Sequence, residues 1–263
     1  GLYYREFTDK NPGLLLHSAT SSYASYFGED IKLYGVSLSK QLGEYSVGAE
    51  VSYRKNMPLY NVLLSNLSGN AAVLFPHGVP TLNGNTYQAR ANTWHAVLNT
   101  TAVYAKTFLF DTASLAAELT YSRLDKVTAN QDMYQGENYG QCDSSRKAIL
   151  GANFKDKWDG CSTKAALGAQ VVFTPSWLQV LPGVDLFAPL SVSKGIHGNS
   201  PLGGAGSEGN GSFGVGIGAD VNARYRFDLK YVGFFGKVKT GAVPGVPGET
   251  RVTAANGLST LLK

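Results

Sequence analysis

Charge is scarce in this chain. Asp, Glu, Lys and Arg make up 16% of its 263 residues, against roughly 25% in an ordinary soluble domain, which is too little to cover a water-facing surface comfortably. Long apolar runs are missing as well: no stretch of about 18 uninterrupted apolar residues is available to cross a bilayer as a helix. Mean hydropathy is slightly negative, at −0.11. Membrane helices are thereby excluded. Membrane strands are not, because segments that alternate apolar and polar residues average to neutral hydropathy. The net charge of +4 is small and scattered, with no basic stripe interleaved with aromatics, so no nucleic-acid partner is expected. Histidines number four; His17, His77 and His197 fall in expected loops without metal-ligand spacing, so neither a metal nor a cofactor is expected. Cysteines number two. Cys142 and Cys161 lie in one polar stretch, and such a pair reads as a disulfide closing that loop in an oxidising compartment such as the periplasm or the cell surface. Two buried thiols are the other reading. The opening Gly-Leu-Tyr-Tyr-Arg has no basic or apolar leader region, so a signal peptide is expected to be already removed or outside this sequence.

What the chain has instead is alternation. Ser46-Val47-Gly48-Ala49-Glu50-Val51-Ser52-Tyr53 and Ser114-Leu115-Ala116-Ala117-Glu118-Leu119-Thr120-Tyr121 share one period-two spelling, apolar against small or charged. In a soluble sandwich the apolar face is the core. In a membrane barrel the faces invert, and Glu50 and Glu118 look into a polar lumen. The same pattern predicts eight strands: 31–42, 46–54, 94–104, 112–122, 164–174, 184–192, 213–225 and about 229–237. Residues 1–7 read as the end of a further strand, and the chain after 237 reads as loop.

The connections decide between the two readings. Tight ones at 42–45, 106–111, 175–183 and 226–228 alternate with long ones at 55–92, 124–160 and 195–211, preceded by the polar segment 8–30. A soluble sandwich has no reason to gather every long loop at one end, whereas outer-membrane barrels pair short periplasmic turns with long external loops. Strands of about 9 to 13 residues suit a tilted bilayer crossing. Aromatics at strand ends (Tyr53, Trp94, Tyr104, Tyr121, Phe173, Trp177, Tyr225, Phe227) suit an interfacial girdle. The expected fold is therefore an all-β, antiparallel transmembrane β-barrel of the outer-membrane type. It forms a single unit over residues 1–263 with at least eight strands, cut from a larger barrel with more chain on both sides.

The lumen-facing residues are Glu50, Arg54, His95, Asn99, Glu118, Lys164, Gln170, Asp185, Asp220, Asn222, Arg224 and Lys230. Opposite charges among them can pair across the wall and only stabilise it, or they can line an aqueous path whose field biases solutes. The mixed signs predict no strong ion selectivity. The glycines of 213–225 leave room for a solute or for a plug. A serine hydrolase in the style of outer-membrane phospholipase needs a third group to orient its histidine. Residues four apart on a strand, such as His95 and Asn99, lie about 13 Å from each other, so no enzyme and no catalytic residue is expected. Residues 204–209 spell a dinucleotide fingerprint, but no helix follows to hold a phosphate. The apolar residues Leu63-Leu64 and 71–76 in the longest loop predict that it folds into the mouth or packs on another loop.

Three stretches carry a resemblance: Gly1-Leu2-Tyr3-Tyr4-Arg5 with Asn11-Pro12, then Glu29-Asp30-Ile31-Lys32-Leu33-Tyr34-Gly35, then the run from Gly48 to Pro58. Together they resemble a family of Gram-negative outer-membrane proteins described as a domain of unknown function, and the chain corresponds to the later part of the longer protein. The resemblance implies uptake or export of hydrophobic compounds and a lipoprotein-like partner linked to the outer membrane. The function expected is a passive outer-membrane channel for small hydrophobic or amphipathic solutes. Its surroundings are outer-membrane lipid and lipopolysaccharide, with a periplasmic or lipoprotein partner. The alternative is a plugged barrel that anchors or binds a partner through its long loops.

Overall fold

The computed structural model describes residues 1–11, 13–17, 22–59, 88–143, 157–202, 206–236, 238–242, 250–254 and 259–262. Its main element is a ten-stranded sheet in which every pairing is antiparallel. The strands are β1 (Leu2–Phe7), β4 (Ile31–Leu42), β5 (Tyr45–Pro58), β6 (Arg90–Tyr104), β7 (Thr112–Ala129), β8 (Ala165–Leu181), β9 (Val184–Phe187), β10 (Leu190–His197), β11 (Gly211–Val221) and β12 (Tyr225–Phe235). From β4 onward each pairs with the next in sequence, except β9 with β10. β9 and β10 act as one strand interrupted at Ala188 and Pro189, both lying between β8 and β11. β1 joins the outer side of β4. A hairpin of β2 (Gly13–His17) and β3 (Ser22–Tyr26), and a small sheet of β13 (Val238–Ala242), β14 (Thr250–Ala254) and β15 (Ser259–Leu262), stand apart. Among the described residues β1 and β12 each pair on one side only.

The eight expected strands are present, with corrections to their ends. β5, β7 and β8 run to 14, 18 and 17 residues, so the loops expected from 55 and 124 begin later. β8 continues through Pro175, where a strand end was expected. Proline removes one ladder donor, but the Pro175 carbonyl still accepts the Ala188 N–H at 3.0 Å, and the true reversal is Pro182 and Gly183. β11 stops at Val221, not at 225. Asn222 and Ala223 both take left-handed φ (53° and 50°), the paired positive-φ geometry that matches strand twist in a tight hairpin. The segment 8–30 and the chain after 237, expected as loop, contain β2 with β3 and β13 to β15. Residues 60–87, including the apolar residues expected to fold into the mouth or pack on another loop, lie outside the described residues.

Turns at 43–44, 105–111, 182–183 and 222–224 join the strands at one end of the sheet; the strand ends at Phe7, Ile31, Pro58, Arg90, Ala129, Ala165, His197 and Gly211 lie at the other, where the longer connections begin and end. The one packed apolar core lies at that second end among the described residues: Leu59, Ala89, Ala91, Leu124, Met133 and Tyr134, flanked by Val127, Tyr139 and Leu202. Mid-sheet the described residues form no core. Leu38, Ile217 and Leu229 are 71%, 56% and 77% exposed, although burying such a side chain is worth about 1.5–3 kcal/mol. Among the described residues no helix is long and apolar enough to cross a membrane.

Candidate functional site

Because side chains alternate along a strand, the pairing register assigns every residue to a face. Tyr34, Val36, Leu38 and Leu42 of β4 stand opposite Tyr53, Val51, Ala49 and Tyr45 of β5. Those stand opposite Trp94, Ala96, Leu98 and Ala102 of β6, and the set continues through Leu119 and Leu115 to Ala169 and Phe173. This is the apolar face. Its aromatics gather in two rows. Toward the long connections, Tyr4 packs on Tyr34 at 5.1 Å and Tyr53 on Trp94 at 4.7 Å between ring centres. Toward the short turns, Tyr45 and Phe173 flank Tyr104 at 6.3 and 6.4 Å, and Phe110 meets Phe173 at 6.0 Å. The Trp177 indole donates to the Leu109 carbonyl at 2.8 Å. Between the rows, Leu42, Tyr45, Val47, Leu98, Leu119 and Val171 surround a shallow apolar groove floored by Thr100, Ala117 and Ala169.

The opposite face is polar, and the register brings several of the expected residues together. Asn99, Glu118 and Gln170 are successive neighbours across β6, β7 and β8, continued by Ser193 and Ser212, whose hydroxyls lie 2.8 Å apart. One level nearer the long connections, Glu50 faces the Tyr3 hydroxyl and the Arg54 guanidinium. His95 stands beside Ser52, and its Nε2 meets the Thr93 hydroxyl at 2.9 Å. Ser52 and Thr93 are fully buried. Among the described residues Ser52 Oγ and Arg54 Nε have no hydrogen-bond partner, so His95 and Ser52 are not hydrogen-bonded as an activated pair would be, since that needs a base in reach of the hydroxyl. At the short-turn end Asp185 and Asp220 stand directly opposite each other, and Arg226 Nη1 reaches Asp220 at 3.7 Å while its guanidinium lies 4.1 Å from the Phe187 ring centre. Lys230 crosses from β12 toward Gly214. Lys164 precedes β8, its carbonyl accepting the Leu124 N–H at 2.8 Å. Asn222 and Arg224 lie in the β11–β12 turn rather than on the strand's polar face, a correction that follows from the left-handed pair at 222–223.

Three contributors escaped the sequence. Tyr3 lays its ring across Gly35, where any Cβ would collide with it, and Phe187 does the same over Gly218. Arg226, expected in a turn, is a strand residue. The glycines of β11, expected to leave free room, are covered by the neighbouring strands: Gly214 by Ser191 and Lys230, Gly216 by Pro189, Gly218 by Phe187.

At the long-connection end the polar face is roofed. Thr93 and Leu124 are directly opposite on that face, and Leu124 and Ala91 pack into the core with Met133 and Tyr134. Burial pushes the Tyr134 phenol up from its ordinary value. Cys142 and Cys161 are bonded, at a sequence separation of 19. Around them Gln135 Nε2 donates to the Gly160 carbonyl at 3.3 Å, and Asn199 Nδ2 donates to the carbonyls of Lys157 (2.6 Å) and Cys161 (2.9 Å). Glu208 accepts from Lys157 Nζ at 2.6 Å and from the Gly198 N–H at 2.7 Å. Those two donors hold its carboxyl below the ordinary value. This acid belongs to the sequence that spells a dinucleotide fingerprint; residues 204 and 205 of it lie outside the described set.

The sequence profile of the family described as "Protein of unknown function (DUF1302)" matches residues 1–253. The chain belongs to this family. Neither a curated protein nor a solved structure matches it significantly. For this family member the site is thus defined by its own geometry: a polar face with aligned charged and amide side chains, backed by an exposed apolar face and roofed at one end by a connection that a disulfide closes on itself.

Proposed function

We propose that this chain forms part of the wall of a transmembrane β-barrel in the Gram-negative outer membrane, and that the barrel passes small hydrophobic or amphipathic solutes by diffusion without covalent chemistry. The observation that carries the reading is the apolar face bounded by two aromatic rows. From Trp94 to Tyr104 is 104 − 94 = 10 residues along β6, about 33 Å of strand at about 3.3 Å per residue. At the usual tilt of about 40° this spans about 25 Å, the height of the apolar band of outer-membrane barrels. An apolar sheet face of that height facing water has no source of stability; facing lipid, it has one. The gathering of all long connections at one end supports the same reading.

The polar face then lines the lumen, and the Asn99, Glu118 and Gln170 row with Glu50, Arg54 and His95 supplies its charged and amide surface. Outer-membrane lipid and lipopolysaccharide surround the wall, and a periplasmic or lipoprotein partner completes the assembly. A second reading, a plugged barrel that binds partners through its loops, is favoured by one observation: Met133 and Tyr134 pack over Leu124 on the polar face. Single-channel recording of the full protein in a planar bilayer separates the two. Steady ohmic current, rising when the Cys142–Cys161 bond is reduced, supports a lumen gated by the roof. Silence in both redox states refutes the diffusion channel and leaves the plugged barrel.

A further inference from the structure

Beyond the row of Tyr4, Tyr34, Tyr53 and Trp94, the apolar face turns cationic within a residue or two. Lys32 and Lys55 stand directly opposite each other on β4 and β5. On β7, Arg123 stands beside Trp94 and Lys126 beside Asn92. All four are exposed. They share the side of the aromatic row: Lys55 Nζ lies 5.7 Å from the Tyr34 ring centre, and the register shift near Asp125 keeps Lys126 on the side of Trp94. Two acids interrupt the row, Glu6 opposite Lys32 and Asp125. Each is engaged by a phenol rather than a cation: Tyr4 donates to Glu6 at 3.0 Å and Tyr53 to Asp125 at 2.9 Å. Among the described residues none of the four cations has an ion-pair partner within 4.0 Å. Like charges directly opposite in an antiparallel pair are unfavourable, so the Lys32–Lys55 pair costs stability that an anion between them restores.

The geometry points to this row as a binding site for a lipid headgroup carrying more than one phosphate. The inference rests on the apolar face being the lipid-facing one. Acyl chains then lie on Val36, Val51, Ala96 and Leu98, the aromatic rings fill the boundary, and phosphate oxygens meet the ammonium and guanidinium groups, each charge near the surface adding to the attraction. β4 and β7 are three strand spacings apart, about 14 Å, so the row reaches two phosphates of one headgroup. At the short-turn end the same face of β4 and β5 carries Lys40 alone, opposite Val47, which restricts the site to the long-connection side.

The test is native mass spectrometry of the full protein in detergent, titrated with diphosphoryl lipid A, for the wild type, Lys32→Gln/Lys55→Gln and the control Lys40→Gln. The expected result is unchanged binding for the control and roughly 25-fold weaker binding for the double variant, about fivefold for each lysine. Equal binding by all three overturns the site. So does equal binding of the lipid stripped of its phosphates, and competition by inorganic phosphate at matched concentration reassigns the row to free phosphate and overturns the lipid. Acetylation of Lys32 and Lys55 in the wild type, slowed by the lipid if the site is real, needs no variant to fold. A protein that stays monodisperse without detergent sinks the membrane reading and this site with it; loss of lysine dependence in a detergent-requiring protein sinks the site alone.

Discussion

Replacing Leu98 by Arg puts the two assignments of the apolar face at their greatest distance. Leu98 is 49% exposed and stands between Ala49 and Leu119 in the register. It lies four residues from Trp94 and six from Tyr104, so it sits within about 3 Å of strand from the middle of the band. If that face meets water, the site is an exposed strand position, and the substitution changes stability by no more than about 0.5 kcal/mol. If it meets lipid, arginine near the midplane costs about 2–4 kcal/mol. The neighbouring Asn99→Arg is the internal control: one residue along, it points to the polar face and is expected to cost less than about 1 kcal/mol. Reversible guanidinium unfolding from phospholipid bilayers, followed by tryptophan fluorescence, reads both. A Leu98→Arg penalty below 0.5 kcal/mol, or one matched by Asn99→Arg, refutes the argument.

Three further outcomes follow from the same geometry. Cys142→Ser with Cys161→Ser removes a cross-link spanning 19 residues, worth about 3 kcal/mol in the chain-entropy treatment; limited proteolysis should cut within 131–163 sooner while the strands stay protected. Glu208, whose carboxyl the Lys157 ammonium and the Gly198 N–H hold below the ordinary 4.5, stabilises the roof fully above that ordinary value and loses the effect as pH falls through the folded one. Proteolytic protection around Glu208 should therefore hold above the ordinary value and drop as pH falls below it in the wild type, and show a flatter profile in Glu208→Gln. Gly35→Ala places a methyl group against the Tyr3 ring and should cost about 1–3 kcal/mol, most of it recovered in the double variant with Tyr3→Ala, as an unfolding double-mutant cycle will show.

How far the sequence could be read depended on the kind of signal. Period-two alternation assigned faces correctly from β4 to β11, because a strand has only two sides and the apolar residues of Phe213, Val215, Ile217 and Ala219 leave no second choice. It could not align strands with one another. That Asn99, Glu118 and Gln170 fall side by side depends on register, which tight turns set residue by residue. The boundary at Val221 was misplaced because Asn222 keeps the alternation going while its backbone has already turned left-handed; the Asn itself was the available clue. Pro175 misled in the opposite direction, its missing donor read as an end that the Ala188 N–H bridges. Tyr3 over Gly35 and Phe187 over Gly218 pair residues far apart in the chain, so nothing local announced them. The Cys142–Cys161 bond was legible because its partners share one connection and no third cysteine competes.

The central claim is that the apolar face of this sheet meets lipid and the polar face meets water. Cysteine scanning along β6 from position 94 to 102 tests it most directly, since both native cysteines are locked in a disulfide. In intact outer-membrane vesicles, with a water-soluble maleimide and a lipid-soluble one, the account predicts strict alternation: 95, 97, 99 and 101 react with the first, and 94, 96, 98, 100 and 102 only with the second. Uniform reaction of both sets with the water-soluble reagent contradicts it.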